Sequence, residues 1–200
     1  YRRGYIYAMD RTAAIGNIFK ANMPGRTVKT VFNVQSSGGV GFMDYCASKI
    51  KPASQAAIDV YSPAPYFGGT AGTSDANRNA IHAAWSTSSA AAVNEVFAQI
   101  DAHLADVVNG PYAQMSEWKA RCDLHGKQLI AYEGGQHLAM RGVDYGATYD
   151  GTVGQAMILA NQDSRMRTRY LAYLNEWWTR SGGATLCHYT DVFTPQQRYG

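Results

Sequence analysis

Leu129-Ile130-Ala131-Tyr132-Glu133-Gly134-Gly135-Gln136-His137 decides how this chain is read. A short apolar run ends in a carboxylate, and two glycines follow at once. Strands close in this way when a polar group is delivered into a cleft and the backbone then turns sharply. The chain has four glutamates, and the other three fall in helical sequence: Glu95 in an Ala-rich stretch, Glu117 in an opening turn, Glu176 beside Trp177. Glu133 is the one placed like a catalytic group. An ionisable side chain that closes an apolar strand must be solvated by a cleft or specifically paired. The competing reading is a glutamate that hydrogen-bonds neighbouring loops.

Outward from that run, the pattern alternates between helix and strand. Residues 4–20 carry Ala8, Ile15, Ile18 and Phe19 at near-helical spacing and stop before Pro24-Gly25, which predicts a helix with a clean end. The β-branched run Val28–Gln35 predicts a first strand, and Phe42–Lys49 a short helix. A second strand starts at Ala57 and runs to Gly68-Gly69, with Pro63 and Pro65 forcing an irregular or bent end. Residues 74–125 read as two or three helices, interrupted near Ser86–Ser89 and at Gly110-Pro111. After the Glu133 strand comes a Gly- and Tyr-rich loop, 138–153. An amphipathic helix over 154–180 follows, and a fourth strand, Ala184–Tyr189, lies beyond Gly182-Gly183.

Strands separated by helices need crossover connections, so the order predicts α/β architecture with a parallel sheet. Three of the four strands run into Gly or Gly-Gly turns, and in parallel α/β folds ligands lie at the carboxyl ends of the strands. At 200 residues, 46% apolar and 16% charged, the composition is that of a globular protein. A net charge of +3 is too small and scattered to argue for nucleic acid. No run approaches the ~18 apolar residues of a membrane span. Cys46, Cys122 and Cys187 show no CxxC or metal-ligand spacing and read as buried free thiols, with one disulfide plus a spare as the alternative. Phosphate-loop, dinucleotide, zinc-protease and nucleophile-elbow motifs are all missing, so neither cofactor nor metal is expected.

A strand-end glutamate amid Tyr, Gln and His suits glycoside hydrolysis, in which one carboxylate attacks or stabilises an oxocarbenium-like centre and another carboxyl donates a proton. Glu133 is the candidate nucleophile, with its glycines letting a sugar approach the backbone. Tyr66 closes the second strand, where its hydroxyl could hydrogen-bond that carboxylate; core packing is the other reading. Gln35 and Asn33 on the first strand could bind sugar hydroxyls or be polar termini. His137 and His188 lie near the same strand ends, each either a substrate contact or a satisfied structural histidine. Asp191 is read as a loop cap rather than a second acid, and Asp59, at the start of its strand, as structural.

These residues together resemble a family. Val28–Gln35, Ala64-Pro65-Tyr66-Phe67-Gly68-Gly69, Ala131-Tyr132-Glu133-Gly134-Gly135-Gln136-His137 and His188-Tyr189-Thr190-Asp191 look like the later strands of bacterial secreted glycoside-hydrolase-like TIM barrels. Such proteins, cellulase-like or cellulose-binding, belong to the clan of retaining (β/α)8 glycosidases. The resemblance implies that residues 1–200 are strands five to eight, the C-terminal half of one TIM-barrel catalytic domain. It implies Glu133 as strand-seven nucleophile and Tyr66 near the strand-six site tyrosine. His188-Tyr189 then stands where many clan members carry a sugar-stacking Trp. The clan's acid/base glutamate closes strand four after an Asn, and no such Asn-Glu lies upstream here; Asn94-Glu95 has the letters inside a helix. A full barrel takes about 250 residues. The implied partners are therefore a β-linked carbohydrate and the remainder of the barrel, from the same chain or another copy. The implied location is secreted or periplasmic. A non-catalytic carbohydrate-binding or assembly protein on this scaffold is the alternative.

Overall fold

The computed structural model describes residues 2–34, 39–139 and 151–189. The chain is mixed α/β, mostly helical, with a few short strands that pair in parallel. It divides into two compact units. One comprises 1–65, 114–133 and 180–187; the other comprises 66–113, 134–179 and 188–200.

In the first unit, α1 (Arg2–Asn22) ends before Pro24 as its sequence predicts. Its buried side is Met9, Ala13 and Gly16, so the expected apolar positions Ala8, Ile15, Ile18 and Phe19 lie on the exposed side with Tyr7. Helical spacing identifies a stripe but not which of two stripes is covered. Gly16 is required where the helix crosses the sheet, because a Cβ there would stand 2.1 Å from the Thr30 hydroxyl. β1 (Val31–Val34) begins three residues later than predicted. The later start has a local cause: the Thr30 amide is taken by the Asp59 carboxylate at 2.7 Å instead of a neighbouring strand.

α2 (Gly39–Ala47) is followed by a helix the spacing did not predict, α3 (Pro52–Ala57), which begins on a proline at its first position. Proline suits that position because the missing amide is one the helix leaves unpaired anyway. β2 (Val60–Pro63) is buried throughout and pairs on one side with β1, Val31 opposite Val60 and Asn33 opposite Ser62. On its other side it pairs with β4 (Gln128–Leu129). Ala131 then bridges in parallel to Leu186, with the Ala131 N–H donating to Thr185 O (2.9 Å) and the Cys187 N–H to Ala131 O (3.0 Å). The predicted fourth strand is reduced to that bridge. The four extended segments thus lie side by side in chain order, all parallel, and β2 is covered on both faces, as an interior parallel strand requires. Met43, Cys46, Met115, Trp118 and Cys122 supply the buried helical side.

In the second unit, β3 (Tyr66–Phe67) pairs in parallel with β5 (Gly135–Gln136). The single strand predicted over 57–67 is therefore two strands in separate sheets. Pro63 and Pro65 lack the amide a continuous ladder needs. The breaks predicted at 86–89 and 110–111 are present, between α5 (Asp75–Trp85), α6 (Ser89–Ala105) and α7 (Pro111–Leu124). Ser74 and Ser88 cap the first two, their hydroxyls accepting the amides of Asn77 and Ala91. A short α4 (Thr70–Thr73) precedes them. The helix predicted over 154–180 is two, α8 (Thr152–Gln162) and α9 (Ser164–Ser181). Asp163 separates them in extended conformation and caps the second by accepting the Arg165 amide at 2.9 Å. Arg165 and Arg169 also lie over the Phe97 ring at 4.4 and 4.7 Å. Asn94 accepts from Arg165, and Glu95 accepts from Gln99 within the same helix, so this Asn-Glu pair serves helix packing.

Among the described residues no helix is long and apolar enough to cross a membrane. Cys46 and Cys122 are buried free thiols, as expected; Cys187 is free but exposed.

Candidate functional site

In the first unit, Glu133 follows directly on the last paired segment. Ala131 is bridged, the Tyr132 amide donates to Pro63 O at 3.2 Å, and the chain bends at Tyr132 and Glu133. Glu133 is half-buried and lies just past the carboxyl end of the parallel segments. The Tyr132 hydroxyl hydrogen-bonds its carboxylate, and that phenol is pushed up to about 12 by burial, by the Glu133 charge and bond, and by Tyr5. Other carboxylates of this unit have partners of their own. Asp44 pairs with Arg121 and His125, and Asp59 with Lys20 and the Thr30 amide. Asp59 sits at the start of its strand, in keeping with its structural reading. Asn33 is exposed on the sheet, and the Ser62 opposite it has a buried hydroxyl with no hydrogen-bond partner among the described residues.

The second unit gathers the other candidates around Gly135. Tyr66, half-buried, is its strand partner. The Tyr66 ring lies 4.8 Å from that of the exposed His137, tilted by 34°, and the His137 amide donates to Phe67 O at 2.7 Å. Gly135 has φ +133, and a Cβ on it would meet His188 Cδ2 at 3.0 Å and the Tyr170 hydroxyl at 3.1 Å. The two glycines were expected to let a sugar approach the backbone; Gly135 instead admits two side chains of its own unit. His188 and Tyr189 are both exposed, and the Tyr189 amide donates to Gly134 O at 3.0 Å. Tyr66 and His188 thus meet at Gly135, and His137 lies against the Tyr66 ring, while Glu133 is assigned to the first unit. Gln35 and Asp191 lie outside the described residues.

Three residues that hold this arrangement were not singled out from the sequence. Tyr170 accepts the Gln136 amide at 3.0 Å and lies 3.1 Å from His188 Nε2. The Tyr173 hydroxyl is hydrogen-bonded to the Gly135 backbone, and burial holds this phenol far above its usual range. His103 accepts the Gly68 amide through Nδ1, fixing the turn after Tyr66-Phe67. The available signal for the tyrosines was their i, i+3 spacing on one helix, which places both on one face. Among the described residues no group of His, Cys, Asp and Glu is arranged to hold a metal ion.

No family model, curated protein or solved structure matches this chain.

Proposed function

We propose that this chain is the C-terminal half of a secreted or periplasmic, retaining glycoside hydrolase of TIM-barrel architecture, acting on a β-linked poly- or oligosaccharide. Glu133 is its nucleophile. The observation that carries the reading is the placement of Glu133 beyond a series of parallel segments that neighbour one another in chain order. Sequential order supports a barrel-type succession of β/α units over a doubly wound sheet, in which strand order reverses at a switch point. The exposed apolar stripe of α1 is consistent with a further layer packed there by the remainder of the barrel.

In this reading Glu133 attacks the anomeric carbon, the C–O bond to the leaving sugar breaks, and a glycosyl–Glu133 ester forms. A second carboxyl, supplied by the other half, protonates the departing oxygen and then deprotonates the water that cleaves the ester. Retention requires that carboxyl about 5–5.5 Å from Glu133. Tyr66, His137, His188 and Tyr189 are a sugar-binding group within the second unit. The alternative, a non-catalytic carbohydrate binder, draws on the same aromatic and imidazole groups without needing the second carboxyl.

Glu133→Gln in the full-length protein separates the two. Hydrolysis of a soluble β-glucan falls by at least about a thousandfold, with binding retained, if Glu133 is the nucleophile. Turnover that survives the substitution contradicts the proposal, and binding without any turnover in the parent protein favours the binder.

A further inference from the structure

The Tyr170 hydroxyl has two polar neighbours among the described residues, and one of them can only donate. The Gln136 backbone N–H lies 3.0 Å away and hands its proton to the phenol oxygen. The other neighbour is His188 Nε2 at 3.1 Å. A phenol is protonated at neutral pH, and burial raises the pKa of this one further. Its single proton therefore needs an acceptor, and His188 Nε2 is the one within reach among the described residues. An imidazole nitrogen that accepts a hydrogen bond is unprotonated, so a neutral His188 carries its proton on Nδ1.

The packing agrees with this polarity. The ring edge bearing Cδ2 and Nε2 faces Gly135 and Tyr170. A methyl group on Gly135 would invade that edge, at 3.0 Å from Cδ2 and 3.2 Å from Nε2. The rings of Tyr170 and His188 meet edge-on, 5.3 Å apart at 76°, and Tyr170 is itself seated against Phe67. His188 is exposed as a residue, and the ring edge bearing Nδ1 is the one opposite Gly135 and Tyr170.

We propose that Tyr170 is a positioning residue that fixes His188 as the Nδ1–H tautomer, so that this histidine offers a donor to an acceptor oxygen of a bound carbohydrate. The tautomer assignment stands on the geometry of the second unit; the ligand rests on the glycosidase reading given above. The selectivity that follows is for a sugar oxygen that accepts. A group that can only donate at that point leaves Nδ1–H without a partner.

Histidine-labelled protein, observed by long-range 1H–15N correlation at about pH 8, above the ordinary imidazole pKa of about 6.5, reads the tautomer directly. His188→Gln assigns the signals. The expected result is a protonated-type Nδ1 shift and an unprotonated-type Nε2 shift for His188. Tyr170→Phe is expected to return them to the Nε2–H tautomer that predominates for histidine in water. An Nε2–H pattern in the parent protein, or an unchanged pattern in Tyr170→Phe, overturns the assignment. If the phenylalanine variant does not fold, the parent spectrum alone decides. Titration with cellotetraose is expected to move the His188 Nδ1 resonance. Failure to move it overturns the carbohydrate contact while the Tyr170–His188 pairing stands.

Discussion

His103 accepts the backbone amide of Gly68 through Nδ1 at 3.0 Å, so the imidazole must be neutral for the turn after β3 to be held. Burial lowers the His103 pKa, and the nearby Asp106 opposes this only in part. The folded state therefore binds its proton less readily than the unfolded chain. Its stabilising contribution is complete above the unfolded value of about 6.5 and is lost as pH falls from there toward the lower folded value. One such group changes stability by at most about 1.4 kcal/mol per pH unit. Urea denaturation at a series of pH values is expected to show this loss. His103→Asn, whose side-chain oxygen can accept the same amide, is expected to flatten it. An identical pH profile in the variant would show that His103 does not set it.

Gly135→Ala is expected to destabilise the protein by about 1–3 kcal/mol. Two causes act together: φ is +133, and the added methyl would press on His188 and Tyr170. Gly126→Ala serves as the control, because φ is +62 there and nothing lies within 4 Å of the added carbon. It is expected to cost about 1–2 kcal/mol from backbone conformation alone. Denaturation midpoints compare the two. Only the first is expected to disturb the His188 ring signals, and a silent His188 in Gly135→Ala would contradict the packing described.

Asp59 joins the start of β2 to Thr30 and to Lys20, whose ammonium lies 2.6 Å from the carboxylate. Burial works against its ionisation. The Lys20 hydrogen bond, the Thr30 amide and the charges of Lys20 and Lys29 outweigh it and hold the carboxyl below its usual value. A lowered folded pKa contributes stability above the unfolded value of 3.8, and this is lost as pH falls through the folded one. Asp59→Asn keeps an acceptor for Thr30 but drops the ion pair. The expected cost at pH 7 is only about 1 kcal/mol, because the pair is partly solvated. Acid titration of stability below about pH 4 is the check, with a weaker dependence expected in the variant.

Much of the fold was legible where the signal was local. Ser74, Ser88 and Pro111 mark helix starts by cap and ring chemistry, and those boundaries fall where the sequence puts them. The position of Glu133 just past a paired segment was legible for the same reason, since an apolar run that meets a carboxylate and Gly-Gly reads as a strand end. The chain hid what depends on distant partners. Ile15, Ile18 and Phe19 have the spacing of a core stripe, yet Gly16 makes the close approach to Thr30 and turns the other face inward. Asp163 sits inside a continuous amphipathic pattern, and only its extended backbone shows it to be a cap. The roles of Tyr170 and Tyr173 are hidden in the sequence because their hydrogen-bond partners are backbone groups more than thirty residues away.

The role of Glu133 is tested most directly by trapping. Incubation of the full-length protein with an activated 2-fluoro β-glycoside, followed by peptide mass spectrometry, reads out which carboxylate forms the glycosyl ester. The predicted result is one sugar adduct on the peptide containing Glu133, absent from Glu133→Gln. An adduct on another carboxylate, or hydrolysis that inverts the anomeric configuration, would contradict the assignment of Glu133 as nucleophile.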